Sequence, residues 1–256
     1  MIGLFSFFFI FFILIFLGMI GLIIWVVIKS QKKPVGEEAK LERIQLINSV
    51  VSQREKLVPW SKYSAENLRP HAFYTYVRGI KNSFSGRLMA DDGNYVLAFN
   101  RIERGLQQIG SIAAATTDFE LFFVIETDRT EFYYDQKRIG TVLNNRTIIN
   151  KEGLPIGSVN RQDRSTISIG DVLDIHTGSN QYDVNMNNRL LARFYVTPRI
   201  SNATGGSLFS INENSGNRII QEIDKPGEEE KKWLIALTVY ELIYHGFWFS
   251  DTHSFH

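Results

Sequence analysis

The sequence predicts a mainly β (α+β) fold: a closed antiparallel β-barrel around a buried hydrophobic C-terminal helix, preceded by an N-terminal transmembrane helix. Three observations lead to this prediction: an apolar run at the start of the chain, short alternating strands through its middle, and a second apolar segment near its end. The absence of cysteine excludes disulfides, thiolate catalysis and palmitoylation. A net charge of +1 gives no general argument for nucleic acid as a partner.

The first apolar run predicts an uncleaved membrane anchor at residues 1–28. As a helix this run is about 40 Å long, enough to cross the hydrocarbon core with some tilt. A cleavable signal peptide is the alternative, but it requires a basic start and a shorter apolar core. Lys29, Lys32 and Lys33 follow the run, and no basic residue precedes it. The positive-inside rule therefore predicts a single-pass membrane protein with its N-terminus outside and its C-terminal domain in the cytoplasm.

Residues 29–72 are predicted to form a juxtamembrane helix and linker. After a Pro-Val-Gly break, Ile44, Ile47 and Val51 recur at helical spacing within the stretch 37–57. Basic residues outnumber acidic ones in this region. The helix therefore either lies on anionic lipid head groups or docks its apolar stripe onto the folded domain, and docking is the favoured interpretation.

The stretch 73–256 is predicted to be a β-domain. Runs such as Tyr95–Phe99, Phe119–Ile125 and Phe132–Tyr134 alternate β-branched or aromatic residues with polar ones. The strands are punctuated by turn residues, which is typical of consecutive hairpins.

One hairpin unit repeats within this domain. Ile-Gly-Thr-Val at 139–142 recurs as Ile-Gly-Ser-Val at 156–159, seventeen positions later, and looser copies contain Gly110 and Ala192. A small residue inside a strand marks the close approach of another part of the chain. The repeat therefore predicts a ring of small inward-facing residues that leaves room for a helix inside a closed barrel.

Trp233–Phe249 is predicted to supply that helix, at about residues 231–247. A helix that is apolar on all sides must be enclosed by protein or by lipid. The segment is just short of the about 18 residues that a membrane span needs. Glu241 would cost about 2.5–3.5 kcal/mol in the centre of a membrane helix. We therefore expect Glu241 to lie inside the barrel, near a strand end or neutralised, and a second membrane span is the alternative.

These features resemble the tubby C-terminal-like superfamily, which includes tubby proteins, phospholipid scramblases and LURP-one-related proteins. The resemblance rests on the hairpin units Tyr134–Val142 and Ile148–Val159 and on the charged stretch that leads into Trp233–Phe249, and it covers roughly residues 73–250. It implies a twelve-stranded barrel around a central helix. Two scramblase features are missing, because there is no palmitoylated cysteine and Ile211–Asp224 lacks a dense cluster of calcium ligands.

No hydrolase, kinase or dinucleotide-binding motif is present, so the sequence predicts no enzyme, no cofactor and no small-molecule substrate. The polar runs Asp91–Asn94 and Asn185–Asn188 are interpreted as hairpin turns, since they lack the spacing of a calcium loop. Asp251, His253 and His256 lie at the chain end, where a preorganised metal site is not expected.

The prediction for function is a non-enzymatic, membrane-tethered binding module that recognises lipid head groups or a protein partner. The alternative is a scramblase-like protein that moves phospholipid between leaflets. Basic residues around several turns form an anion-binding patch if the hairpins bring them to one rim, and an ordinary mixed surface otherwise; these are Arg101, Arg104, Arg129, Lys137, Arg138 and Arg146. The predicted head-group residues are Lys29, Lys32, Lys33, Arg138 and Arg146.

Overall fold

The computed structural model describes residues 14–22, 25, 34–77, 81–104, 109–161, 165–169, 173–177, 181–195 and 219–244. Helix α1 is Glu37–Val51 and helix α2 is Glu228–Tyr244, and single 3-10 turns lie at Arg54–Lys56, Trp60–Lys62 and Ala65–Asn67. The described strands are β1 (Leu68–Val77), β2 (Lys81–Ala90), β3 (Tyr95–Arg104), β4 (Ile109–Ala115), β5 (Glu120–Ile125), β6 (Arg129–Tyr134), β7 (Lys137–Leu143), β8 (Thr147–Asn150), β9 (Pro155–Arg161), β10 (Ser165–Ile169), β11 (Leu173–Thr177), β12 (Gln181–Met186), β13 (Arg189–Tyr195) and β14 (Ile220–Glu222).

Twelve of these strands form one antiparallel sheet in the order β1 to β9, then β12, β13 and β14, which confirms the mainly β fold. Strands β10 and β11 pair with each other as a separate hairpin inserted between β9 and β12. Asn187 and Asn188, between β12 and β13, have φ values of 52° and 61°. Two successive positive φ values are the mark of a tight two-residue hairpin loop. Asp91–Asn94 joins the paired strands β2 and β3, and the Gly93 N–H donates to the Ala90 carbonyl at 3.0 Å. The interpretation of both polar runs as hairpin turns is therefore confirmed.

Because every neighbouring pair in the sheet is antiparallel, the sheet has two well-defined ends. We call the end where β3 finishes and β4 begins, at Arg104 and Ile109, the root end. The far end carries the β6–β7, β8–β9 and β12–β13 turns. Strand β9 finishes at Arg161 and β12 begins at Gln181, and both of these residues are at the root end.

Helix α2 is enclosed by the sheet, as predicted. Every residue from Ala236 to Ile243 is buried, so all faces of the helix are covered. The Tyr240 ring lies 5.5 Å from Phe123 on β5 and 5.5 Å from Phe132 on β6. The helix also contacts β1 and the β12–β13 turn, which lie far along the strand order, so the sheet curls around it. Glu241 is buried with the helix, and the alternative of a second membrane span is wrong for the described part of the segment.

Arg101 on β3 fixes the last turn of α2. Its guanidinium donates a hydrogen bond to the Ile243 carbonyl at 2.7 Å, lies 4.5 Å from the Tyr244 ring and forms an ion pair with Glu103. The final carbonyl groups of a helix have no hydrogen-bond donor within the helix, and Arg101 supplies a donor to one of these carbonyls. Desolvation lowers the pKa of Arg101 to about 10, which still leaves the guanidinium charged at neutral pH.

Closure of the barrel is the part of the predicted fold that the structure does not show. The hydrogen-bonded strand order begins at β1 and ends at β14, and within the described residues no ladder joins those two edges. Strand β14 has only three residues, which leaves little backbone for a further pairing.

The small residues of the hairpin repeat lie on the face of the sheet that covers the helix, as predicted. Gly157 pairs with Met186 and Gly110 pairs with Ile125, and both partners belong to the core around α2. Directly paired residues of antiparallel strands point to the same face. A Cβ on Gly140 would lie 2.7 Å from Cζ2 of Trp233 on α2. At all three glycines the nearest atom to such a Cβ is a carbonyl oxygen of an adjacent strand, at 2.0, 2.1 and 2.3 Å for Gly140, Gly157 and Gly110.

Helix α1 packs on the outer face of the sheet, which confirms the docking interpretation. Leu46 and Val50 are buried against Ala98, Ala113 and Phe122. Of the three residues that predicted the apolar stripe, Ile47 and Val51 pack against this cluster and Ile44 is 53 % exposed. The short alanine side chains of β3 and β4 allow the helix to approach the strands closely.

Of the predicted anchor at 1–28, the structure describes residues 14–22, which are helical, and residue 25. The apolar side chains among them are exposed, with Leu14, Phe16 and Leu22 each above 60 %. None of the helices in the described ranges combines the length and apolar character that a membrane crossing needs. The rest of the predicted anchor lies outside the described residues.

Candidate functional site

The structure does not bring the predicted head-group residues together. Lys29, Lys32 and Lys33 lie outside the described residues. Arg138 is near the start of β7 at the far end, and Arg146 is in the β7–β8 turn at the root end. The seven-residue strand between them separates their backbones by about 20 Å. The wider basic set divides in the same way, because Arg104 and Arg129 lie at the root end and Lys137 lies at the far end.

Each end of the sheet carries a cavity. The smaller one, about 240 Å³, lies at the root end between the first turns of α1 and strands β4 to β6, and we call it the root cavity. Its cationic lining residues are Lys40, Arg43 and Arg104, and its acidic ones are Glu42 and Glu131. Pro34, where the described range 34–77 begins, also lines it.

An ion pair between Arg104 and Glu42 joins α1 to the sheet beside this cavity. Arg104 is 2 % exposed, and the Glu42 side chain is 15 % exposed. The Lys81 ammonium lies 3.9 Å from the same carboxylate. The Nε–H of Arg104 is buried and makes no hydrogen bond to the described residues. A buried arginine depends strongly on its partner carboxylate, so Glu42 holds the start of α1 at the root end.

Arg43 is the root-cavity cation that has no carboxylate of its own in the described part of the chain. Its guanidinium lies 4.2 Å from the Tyr133 ring and 5.0 Å from the Phe122 ring, and it donates to the Gln136 carbonyl at 3.0 Å. Desolvation lowers the pKa of Arg43, opposed by the nearby Tyr133 and Glu131. The aromatic rings hold the guanidinium in place, and its remaining N–H groups are available as hydrogen-bond donors. This arrangement suits bidentate binding of a phosphate or carboxylate.

The larger cavity, about 550 Å³, lies at the far end where α2 begins, and we call it the far pocket. Glu230, at the start of α2, joins the helix to the β12–β13 turn at the wall of this pocket. The carboxylate accepts hydrogen bonds from the Gly227 N–H at 2.8 Å, from the Asn187 amide at 2.8 Å and from Arg189. Burial acts to raise the pKa of Glu230, but these hydrogen bonds outweigh it and hold the pKa below the ordinary value of 4.5.

We expect Glu230→Gln to lower stability at neutral pH and to flatten the acid side of the stability profile. A carboxyl group whose folded-state pKa is depressed contributes stability above its unfolded pKa and loses it as the pH falls through the folded pKa. The stabilising contribution of the ionised Glu230 is therefore present above the ordinary pKa of 4.5. It falls progressively below that pH, as the pH approaches and passes the lower pKa of the folded state. Melting temperatures of both proteins between neutral pH and about pH 3 measure this. Parallel curves for the two proteins would contradict it.

Sequence reasoning missed Lys40 and Arg43 as site residues. Both stood in the predicted juxtamembrane helix, and an excess of basic residues there was the available signal. The partners that make them a site, Tyr133 and Gln136, are ninety or more positions away along the chain. In the described ranges no group of three or more His, Cys, Asp or Glu side chains is arranged to hold a metal ion.

Comparisons of the chain with protein-family models, with curated proteins and with solved structures give no match. The assignment of a function therefore rests on the geometry of the two ends of the sheet.

Proposed function

We propose that this chain is a non-enzymatic, membrane-tethered binding module whose root cavity binds the head group of an anionic phospholipid at the cytoplasmic face. Residues 1–28 serve as the anchor. The observation that carries the proposal is Arg43, a stacked guanidinium without a carboxylate partner among the described residues, in a cavity at the start of the helix that follows the anchor.

The position of the cavity supports a lipid as its ligand. Residues 29–33 connect the proposed anchor to Pro34, and even fully extended they reach no more than about 18 Å. Pro34 lines the cavity, so the short connection holds the cavity close to the lipid head groups. Lys40 pairs with Glu37 at 2.7 Å, but both side chains are more than two thirds exposed. Exposed ion pairs are weak, so Lys40 can exchange this partner for a phosphate at the mouth of the cavity.

We also propose that the sheet closes into a barrel of the tubby-like kind. Support comes from the far end, where Glu66, just before β1, accepts a hydrogen bond from the Glu222 N–H of β14 at 2.8 Å. The two edge strands are thus linked through a side chain. Desolvation and the charge of Glu66 raise the pKa of Glu222, as expected where two carboxyl groups meet at a joint between edges.

Lipid retention tests the function. The full chain is assembled in nanodiscs of phosphatidylcholine and phosphatidylserine and moved into mild detergent, and the lipid that stays bound is identified by native mass spectrometry. We expect phosphatidylserine to be retained preferentially, and about tenfold less of it in the Lys40→Ser, Arg43→Ser double variant, because two charge-assisted contacts are lost.

The matched control is the Lys137→Ser, Arg138→Ser double variant, which removes the same charge at the far end. It should retain phosphatidylserine like the unmodified chain, and near-UV circular dichroism should show that all three proteins are folded. Equal retention by both double variants, or no preference for the anionic lipid, would refute head-group binding and leave a protein partner as the ligand of the module.

A further inference from the structure

The far pocket has an apolar floor. Ile139, Met186 and Trp233 are buried core residues that also line it, and the half-buried rings and side chains of Tyr134 and Ile156 complete it. Its volume of about 550 Å³ lies within the range of small-molecule sites, roughly 300–1,000 Å³. Because burial raises the pKa of Tyr134 to about 12, its hydroxyl stays neutral at physiological pH.

Most of the charged side chains around the mouth are paired with one another, and two cations are left over. Four cations and four carboxylates line the pocket, but most of them are already paired. Glu230 is occupied by its hydrogen bonds on the wall, Lys232 is paired with Glu229, and Lys151 lies 3.6 Å from Glu152.

Two cations remain at the edge of the apolar floor. Lys137 makes no ion pair with any described residue, and Arg138 donates to the Thr141 hydroxyl at 2.7 Å with Glu131 only at 3.9 Å. Asp135 is the acidic residue of the β6–β7 turn that precedes them, and its carboxylate accepts a hydrogen bond from the Glu120 N–H at 3.0 Å. An apolar surface bordered by two available cations is complementary to a molecule with an apolar body and one acidic group.

We propose that the far pocket binds a small organic acid with an apolar or aromatic body, taken from the aqueous phase. The acid group pairs with Lys137 and Arg138, and the body lies on Trp233, Ile139 and Ile156. The source is aqueous because the pocket surrounds the start of α2 at the far end, whereas Glu42 in the first turns of α1 pairs with Arg104 at the root end. Of the α1 side chains in the root cavity, Arg43 reaches the β6–β7 turn, where it donates to the Gln136 carbonyl. The proposal is independent of lipid binding at the root cavity.

Fluorine NMR tests this with the full chain in phosphatidylcholine nanodiscs. The probes are 4-(trifluoromethyl)benzoate and 4-(trifluoromethyl)benzylamine, which have nearly the same shape and opposite charge, and empty nanodiscs correct for partition into lipid. We expect the benzoate to show saturable line broadening and the protonated amine to show none. The Lys137→Ser, Arg138→Ser double variant should bind the benzoate about tenfold or more weakly.

Lys40→Ser, which removes a cation at the root end, should bind the benzoate like the unmodified chain. A second variant, Ile156→Ser, tests the floor while leaving both cations in place, and it should also weaken binding. Equal broadening by the two probes, benzoate binding that survives the double variant, or no saturable broadening at millimolar probe would each overturn the proposal.

Discussion

Gly140→Ala should destabilise the domain by about 4 kcal/mol, the sum of backbone strain and overpacking. Gly140 has φ +154°, a conformation that side-chain-bearing residues rarely adopt. A Cβ there would also lie 2.0 Å from the Ile149 carbonyl oxygen and 2.7 Å from the Trp233 ring. Neither neighbour can retreat, since one is sheet backbone and the other is a buried ring at the start of α2. Guanidinium unfolding followed by near-UV circular dichroism measures the change.

Gly153→Ala separates strain from crowding in that experiment. Gly153 also has a positive φ, +87°, but a Cβ there would meet nothing within 4 Å. Its replacement should cost only about 1 kcal/mol, the penalty for a left-handed backbone alone. If the two variants were equally stable, Trp233 would not pack against β7 as described.

Glu42→Ala should cost about 4 kcal/mol, because it leaves the buried Arg104 charge without its partner. Arg104→Met should cost much less, roughly 1 kcal/mol, since methionine fills the space and a buried ion pair replaced by apolar packing is often nearly neutral. Glu42 would then remain partly solvated beside Lys81. Denaturant unfolding gives the two free energies, and hydrogen exchange across α1 shows whether the helix has been released.

The double variant completes this cycle. Combining Glu42→Ala with Arg104→Met should recover most of the stability lost in Glu42→Ala alone, because the orphaned charge is gone. Costs that simply add would mean that Glu42 and Arg104 do not interact, and the attachment of α1 would then rest on Leu46 and Val50 alone.

Features carried by neighbouring residues could be predicted from the sequence. The apolar character of Trp233–Tyr244 on every face predicted an enclosed helix, because a helix has no other way to hide such a surface in water. Asn187 and Asn188 predicted a tight turn, because asparagine tolerates positive φ at little cost.

Contacts between residues that are far apart in the sequence could not be predicted. Glu42 and Arg104 are 62 positions apart, and nothing near either residue reveals the pairing. The crowding at the repeated glycines was also hidden, because it depends on the register between separate strands, such as that of Gly157 against Met186. Closure of the sheet edges could not be tested by local patterns, because it depends on the twist summed over all the strands.

The place of α2 in the chain has a consequence for biosynthesis. Most strand pairs of the sheet join consecutive strands, the pair of β9 with β12 being the exception among the described strands. Hairpins form in about 1–10 μs. The helix that fills the sheet comes after all fourteen described strands. At about 5–20 residues per second, the ribosome needs roughly 10–40 s to travel from β1 to the end of α2. During that interval the inner face of the sheet has no helix to pack against. The final packing step therefore follows the synthesis of every described strand, and the apolar inner face of the sheet is exposed until α2 arrives.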